Sequence, residues 1–113
     1  MLSILLVEDD APLRRAFGRQ LAREGYRVVA VDSAELGLAE LEAGRFDLVL
    51  TDLHLGSGSG LDVVAAAQGK GTPVILMSAA LHRAPEAKRP PFTLAKPFDP
   101  AELLATIVKA TSK

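Results

Sequence analysis

Two short, uninterrupted apolar runs that end in carboxylates constrain the fold of this chain more than any other feature. Residues 4–7 run directly into Glu8 and Asp9, and residues 48–51 run into Asp52. A continuous apolar run of this length is typical of a parallel strand buried on both faces. In an open α/β sheet, functional groups gather beyond the carboxyl ends of the strands, where the winding reverses. The three carboxylates are therefore predicted to meet at one edge of a parallel sheet.

Strand and helix patterns alternate five times along the chain. Asp32 with Glu35 predicts the start of the second helix, and Asp99 with Pro100 and Glu102 predicts the start of the last one. Three more strands are predicted at residues 28–31, 74–77 and 92–95. With right-handed crossovers, this alternation predicts a single flavodoxin-like (βα)5 domain over residues 1–113, with a parallel five-stranded sheet of order 2-1-3-4-5.

Four of the five predicted helices carry a set of apolar residues, whereas the pattern weakens in the region of the fourth helix. Residues 79–91 contain three prolines, which leave room only for a short or irregular fourth helix. The apolar residues of the first three helices are Leu13, Ala16, Phe17 and Leu21; Ala34, Leu38 and Leu41; and Leu61, Val64, Ala65 and Ala67. The last helix is predicted to bury Leu103, Leu104, Ile107 and Val108.

Composition narrows the class of protein. The chain has 113 residues, 49% hydrophobic and 24% charged, which is ordinary for one globular domain. A formal net charge of -1 gives no general attraction to nucleic acid or to an anionic membrane, and no segment approaches a membrane span. The absence of cysteine excludes disulfides and thiolate metal sites and is compatible with a reducing compartment, so a cytoplasmic location is expected.

The predicted carboxylate cluster needs a counter-charge. Two carboxylates about 4 Å apart repel by roughly 4 kcal/mol at an effective dielectric constant near 20. Mg²⁺ suits the cluster because it prefers oxygen ligands and often binds through one or two carboxylates beside a phosphate. With such an ion, Asp52 could act as a nucleophile toward phosphorus. Ser78 and Lys96 end the next two strands and could stabilise the phosphoryl oxygens.

Four motifs stand at the predicted strand ends: Val7-Glu8-Asp9-Asp10, Thr51-Asp52-Leu53, Met77-Ser78-Ala79 and Lys96-Pro97-Phe98. They resemble the motifs of the response-regulator receiver domain of two-component signalling. The resemblance spans essentially the whole chain, and Gly60 matches the glycine that opens the third helix in that family.

The resemblance implies a role for each site residue. Asp52 corresponds to the phosphoacceptor, while Glu8 and Asp9 would hold Mg²⁺ directly or through water. The backbone carbonyl of His54 would complete the protein ligands of the metal. The side chains that correspond to the family's phosphoryl contacts are those of Ser78 and Lys96, and the peptide bond between Lys96 and Pro97 would be cis.

The chain also departs from the family pattern. Gly56 replaces the usual proline in the loop after the phosphoacceptor. Thr93 stands three positions before the lysine, where the family has an aromatic switch residue, and Phe92 lies one place off. Together with the prolines of residues 79–91, these changes indicate that the surface which most receivers reshape on phosphorylation is rebuilt or absent here.

Several charged residues have simpler interpretations. Asp10 is expected to be the N-cap or a first-turn acid of the helix that begins near Pro12, and not to bind metal. Arg14, Arg15 and Arg19 are by default a solvated helix face, although the first helix commonly docks the phosphodonor in the resembling family. The side chain of His54 is expected to be exposed.

Three functions compete on the sequence. The leading hypothesis is a phosphoacceptor that takes a phosphoryl group from a histidine kinase or a histidine phosphotransfer protein, catalyses only its own modification, and contacts neither nucleic acid nor membrane. It would be a single-domain regulator or part of a longer protein such as a hybrid kinase, with an unknown downstream target. A pseudo-receiver that binds proteins without phosphorylation is the alternative. A phosphatase of the haloacid-dehalogenase kind is disfavoured because His54 stands where that class has a second aspartate.

Overall fold

Five parallel strands form one sheet in a computed structural model that describes residues 1–112; Lys113, the last residue of the predicted domain, lies outside the described residues. The strands are β1 (Ser3–Val7), β2 (Arg27–Val31), β3 (Leu48–Asp52), β4 (Val74–Ser78) and β5 (Phe92–Ala95). The helices are α1 (Ala11–Arg23), α2 (Ala34–Ala43), α3 (Gly60–Gly69) and α4 (Pro100–Thr111). The strand order is β2-β1-β3-β4-β5, which confirms the predicted fold.

Helices cover both faces of the sheet. On one face, Leu5 and Val7 of β1 pack in a cluster with residues of α2 and α3. On the other, Ile4 and Leu6 pack in a cluster with residues of α1 and α4. Successive residues of a strand point to opposite faces, so a central strand covered on both sides must be apolar throughout. The continuous apolar runs in the sequence follow from this arrangement.

The helix starts agree with the sequence in two places and differ in one. Asp10 caps α1, because its carboxylate accepts a hydrogen bond from the Leu13 amide at 3.2 Å. Asp99 and Glu102 form the predicted reciprocal cap of α4. The predicted capping role of Asp32 is wrong: the adjacent Ser33, in an extended conformation, accepts from the Leu36 amide at 3.1 Å.

The buried face of each helix is narrower than its apolar sequence pattern. Val108 is 57% exposed, because the buried residues of α4 are Leu103, Ile107 and Ala110, and Val108 lies about 100° round the helix from Ile107. Leu104 is only half-buried. The other exposed residues among the apolar sets of the sequence are Leu13 at 37%, Leu38 at 36%, Ala16 and Ala65.

The connection between β4 and β5 contains no α-helix. Two single 3₁₀ turns, Leu81–Arg83 and Glu86–Lys88, occupy the place of the predicted short or irregular helix, as the prolines of this segment indicated. Ala84, between the turns, is buried, and its carbonyl accepts a hydrogen bond from Nε of Arg89 at 3.0 Å. Among residues 1–112, no helix has the length and apolar character that crossing a bilayer requires.

Candidate functional site

The register of the sheet brings the two acidic strand ends together. Val7 of β1 pairs with Thr51 of β3. Glu8 and Asp52 are the next residues after this pair, so they lie side by side at the carboxyl edge of the sheet. One oxygen each from Glu8, Asp9 and Asp52 can be chosen so that all three lie within 4.8 Å of one another. The carboxylate cluster predicted from the sequence is therefore present in the structure.

The same register places the other two predicted residues at this edge. Asp52 pairs with Met77 of β4, the residue before Ser78, and Ser78 pairs with Ala95 of β5, the residue before Lys96. Ser78 is buried, and its hydroxyl oxygen accepts a hydrogen bond from the Ala80 amide at 2.9 Å. That contact leaves the hydroxyl hydrogen able to donate to another group.

Lys96 bridges two of the three carboxylates. Its Nζ lies 2.7 Å from Oε1 of Glu8 and 2.9 Å from Oδ2 of Asp52. Burial alone lowers the pKa of Lys96, but the hydrogen bonds to Glu8 and Asp52 outweigh burial and raise that pKa above its ordinary value. Lys96 is therefore a fixed cation beside the carboxylates.

Glu8 is the most enclosed member of the cluster. Its side chain is fully buried, and its oxygens accept hydrogen bonds from Lys96 and, at 3.2 Å, from the amide of Asp10. Burial raises the pKa of Glu8 above its ordinary value; the hydrogen bond from Lys96 opposes the rise, and the negative charge of Asp52 adds to it. Excess negative charge at this edge is thus costly unless a cation compensates it.

Asp9 is the accessible member of the cluster. It is exposed, and its Oδ2 accepts a hydrogen bond from the amide of Gly56 at 3.1 Å. Gly56 is the residue that replaces proline in the resembling family, and a proline there would have no amide hydrogen to donate. The substitution therefore lets the loop after β3 contact the acidic residue at the end of β1.

Two backbone features support the site. A Cβ built on Gly60 would lie 1.8 Å from the carbonyl oxygen of Asp52, so only glycine fits where α3 begins. The peptide bond between Lys96 and Pro97 is cis, as the resemblance implied. Beyond it, the ring of Phe98 stacks on that of Phe17 in α1, with the ring centroids 5.5 Å apart.

The structure places Thr93 and Phe92 on opposite faces of the sheet. Phe92 packs in the cluster beneath α1 and α4. Thr93 pairs with Leu76, which belongs to the cluster beneath α2 and α3. Because the two residues point in opposite directions, Phe92 does not occupy the place of the aromatic residue that Thr93 replaces.

One contact at the site has no signal in the sequence pattern. Nη1 of Arg14 donates a hydrogen bond to the carbonyl oxygen of Glu8 at 3.0 Å. Arg14 is half-buried, whereas Arg15 and Arg19 are exposed, so the three arginines do not form one solvated face. The side chain of His54 is exposed, as expected, and the role of its carbonyl stays a prediction.

Comparisons with known proteins agree with this geometry. The family model described as the response regulator receiver domain matches residues 4–108. The response regulator protein FleR of Pseudomonas aeruginosa is 38% identical over 112 residues, which cover 94% of this chain but only 24% of FleR. The chain thus spans about a quarter of the length of this relative.

Two solved structures share the fold over nearly the whole chain. One is the receiver domain of a sensor histidine kinase from Pseudomonas aeruginosa, whose structure has a magnesium ion in the active-site cleft. It superposes with a TM-score of 0.90 at 26% sequence identity, over 99% of this chain and 98% of the receiver domain. The other is the response regulator TrrA of Thermotoga maritima in complex with Mg²⁺ and BeF. It superposes with a TM-score of 0.89 at 27% sequence identity, over 97% of this chain and 99% of TrrA.

Proposed function

This chain belongs to the response regulator receiver domain family of two-component signalling, and from that premise we propose that it accepts a phosphoryl group on Asp52 with the help of Mg²⁺. The observation that carries the proposal is the convergence of three carboxylates and the ammonium group of Lys96 at one sheet edge. Each of these groups has a distinct part in the proposed reaction.

The donor set suits a hard divalent cation. Three carboxylates and one ammonium group, all ionised, carry a net charge of -2, and every candidate ligand atom is an oxygen. We propose that Asp9 and Asp52 touch the ion and that Glu8, whose oxygens already accept hydrogen bonds, acts directly or through water. The backbone carbonyl of His54 would add a further oxygen. A bound ion would neutralise the carboxylates and draw charge from the phosphoryl oxygens.

The reaction itself requires a nucleophile and a leaving group. A carboxylate oxygen of Asp52 attacks the phosphorus of a phosphohistidine on the donor protein, and a new P–O bond forms as the P–N bond breaks. The electron pair of the broken bond stays on the imidazole nitrogen, which takes up a proton. Because Asp52 is only slightly exposed at the tip of β3, a donor must present its phosphoryl group directly at the edge of the sheet.

Lys96 and Ser78 act on the phosphoryl group. We propose that the ammonium group of Lys96 transfers one of its hydrogen bonds from Asp52 to a phosphoryl oxygen, since it already lies 2.9 Å from the nucleophilic carboxylate. Ser78, whose hydroxyl hydrogen is available, would donate to a second phosphoryl oxygen. The same groups would later assist hydrolysis, so the chain would catalyse only its own phosphorylation and dephosphorylation.

The proposed phosphodonor is a histidine kinase or a histidine phosphotransfer protein. Arg15 and Arg19 of α1 are exposed and offer a basic surface to such a partner. We propose residues 1–113 as the receiver unit, acting either alone or within a longer chain. The similar solved structure is the receiver domain of a sensor histidine kinase, which supports a place within a longer chain.

Intact-mass measurement tests the phosphoacceptor role. The protein is incubated with Mg²⁺ and acetyl phosphate or phosphoramidate, in parallel with Asp52→Asn and the control Asp62→Asn, which changes an exposed acid on α3. A mass increase of one phosphoryl group in the wild type and the control, absent from Asp52→Asn, supports the proposal. Chelation of Mg²⁺ should abolish the increase.

Two other outcomes would replace the proposal. A folded wild-type protein that gains no mass with either donor and does not bind beryllofluoride would be a pseudo-receiver, for which Thr93 and the missing helix between β4 and β5 are the supporting observations. Continuous release of phosphate from added phosphoesters would indicate a phosphatase instead.

A further inference from the structure

The acidic turn between β1 and α1 is fixed at both of its ends. On the strand side, the amide of Glu8 donates to the carbonyl of Val31 at 3.0 Å, which continues the pairing of β1 with β2. On the helix side, Asp10 caps α1. Asp9 lies between these anchors and is exposed. The direction of the Asp9 side chain therefore depends on how the peptide group between Glu8 and Asp9 is oriented.

Arg14 is hydrogen-bonded to that peptide group. Its Nη1 donates to the carbonyl oxygen of Glu8 at 3.0 Å, and the carbonyl belongs to the same planar unit as the amide of Asp9. A rotation of this peptide group would break the hydrogen bond and turn the Asp9 carboxylate away from the cluster. A hydrogen bond from a charged donor is stronger than one from a neutral donor, and the guanidinium group of Arg14 has several donors.

We propose that Arg14 is a positioning residue for the metal site, which acts by holding the Glu8–Asp9 peptide so that the Asp9 carboxylate faces Asp52. The inference rests on the proposed function, because it assigns Asp9 to the Mg²⁺ ligands. It also separates Arg14 from its neighbours on α1, since Arg15 and Arg19 are exposed and available to a partner.

The sign of the effect on Mg²⁺ affinity distinguishes positioning from simple charge. A positive group near a cation site repels the ion, so a pure charge effect would make Mg²⁺ bind more tightly when Arg14 is neutralised. Loss of a residue that orients a ligand has the opposite sign, and it typically weakens metal binding about 10- to 100-fold. Positioning therefore predicts weaker binding on removal of Arg14.

The test compares Arg14→Met and Arg14→Lys with Arg23→Met, which removes the same charge from an exposed position at the end of α1. In the metal-free proteins, the NMR chemical shift and hydrogen exchange of the Gly56 amide report whether Asp9 still accepts its hydrogen bond. Titration calorimetry with MgCl₂ then gives the affinity. The shorter Lys side chain retains the charge but has a single donor atom in place of the guanidinium fork.

We expect Arg14→Met to shift the Gly56 amide, to speed its exchange and to weaken Mg²⁺ binding about 10-fold or more. Arg14→Lys should lie between this variant and the wild type, and Arg23→Met should match the wild type in both measurements. Unchanged Gly56 signals together with equal or tighter Mg²⁺ binding in Arg14→Met would overturn the proposal.

Two features keep this test informative. If Arg14→Met does not fold, Arg14→Lys decides the question, because wild-type Gly56 signals and affinity in that variant would contradict a need for the guanidinium geometry. The Gly56 amide is measured without metal or phosphodonor, so it tests the positioning of Asp9 even if the wild-type protein is never phosphorylated. Failure of the proposed function would appear instead as a wild-type protein with an ordered Gly56 amide and no mass increase.

Discussion

The carboxyl edge of β1 and β3 and the connection between β4 and β5 are built in opposite ways. At the edge, Glu8 and Asp52 are buried strand-end residues bonded to Lys96. In the connection, two 3₁₀ turns lie on the surface, and Ala84 and Pro90 are its buried residues. The sheet register determines the first region, whereas the second depends on a few local contacts.

This difference makes the position of the site residues independent of the structure of the connection between β4 and β5. Because Ser78 and Lys96 are strand-end residues, β4 and β5 position them whatever structure lies between the two strands. A chain can therefore retain the carboxylate cluster with Ser78 and Lys96 while the neighbouring surface changes. The comparison predicts that substitutions at the edge have large effects on stability or metal binding, and that substitutions in the connection have small ones.

The largest expected effect comes from Gly60→Ala. The added Cβ would lie 1.8 Å from the carbonyl oxygen of Asp52 and 2.8 Å from its carbonyl carbon, and neither backbone atom can move without disturbing the end of β3. Overpacking usually costs about 1–3 kcal/mol and sometimes more, and a clash between backbone and Cβ lies at the upper end, so we expect about 3 kcal/mol. Urea denaturation measures the loss.

Gly18→Ala is the matched control. Gly18 lies within α1, and an added Cβ there would meet no atom within 4 Å. Alanine in a helix interior is more favourable than glycine by about 0.5–1 kcal/mol, so this variant should be more stable than the wild type. Equal stabilities for the two alanine variants would show that the start of α3 is not packed as described.

Asp9→Asn should separate metal binding from folding. The amide oxygen of asparagine can still accept the hydrogen bond from Gly56, so the unfolding free energy should change by less than about 0.5 kcal/mol. Loss of a charged ligand should weaken Mg²⁺ binding about 100-fold, which corresponds to about 2.7 kcal/mol. Titration calorimetry against Asp62→Asn measures the difference. An affinity within twofold of the control would remove Asp9 from the proposed ligands.

Much of the carboxyl edge could be predicted from the sequence for a physical reason. A strand buried on both faces must be apolar throughout, so its end is visible as the first charged residue. Parallel pairing then places Glu8 beside Asp52 and Ser78 beside Lys96, and no side-chain contact has to be known to predict this. The cluster follows from strand ends and strand order alone.

The buried faces of the helices were predicted less well. An apolar period in the sequence indicates a helix, but it does not determine which part of the apolar face contacts the sheet. Val108 continues the apolar pattern of α4 but lies outside the narrow face that meets the sheet. The capping residue of α2 was misplaced by one position, since both Asp32 and Ser33 can cap. The contact of Arg14 with a backbone carbonyl has no counterpart in residue pattern, because any residue can supply a carbonyl oxygen.

Lys96→Met should destabilise the metal-free protein by about 2 kcal/mol. Breaking a buried ion pair costs about 3–5 kcal/mol, but the raised pKa of Glu8 allows this carboxyl to take up a proton and reduces the loss. Millimolar Mg²⁺ should restore part of the stability, because it replaces the missing positive charge. Urea denaturation with and without Mg²⁺ checks both effects, with the exposed Lys109→Met as control. A loss no greater than that of the control would indicate that the carboxylates do not need Lys96.

Arg89→Met tests the connection between β4 and β5, and it should have the smallest effect on stability. It removes the hydrogen bond at 3.0 Å from Nε to the carbonyl of Ala84, and a contact of this kind contributes about 1 kcal/mol or less at a partly exposed position. Arg83→Met, in the first 3₁₀ turn, serves as the control for loss of charge. Because Ser78 and Lys96 are positioned by β4 and β5, the rate of phosphorylation by acetyl phosphate should equal that of the wild type. A clear decrease in that rate for Arg89→Met alone would show that the connection and the carboxyl edge are coupled, and the independence of the two regions would then be wrong.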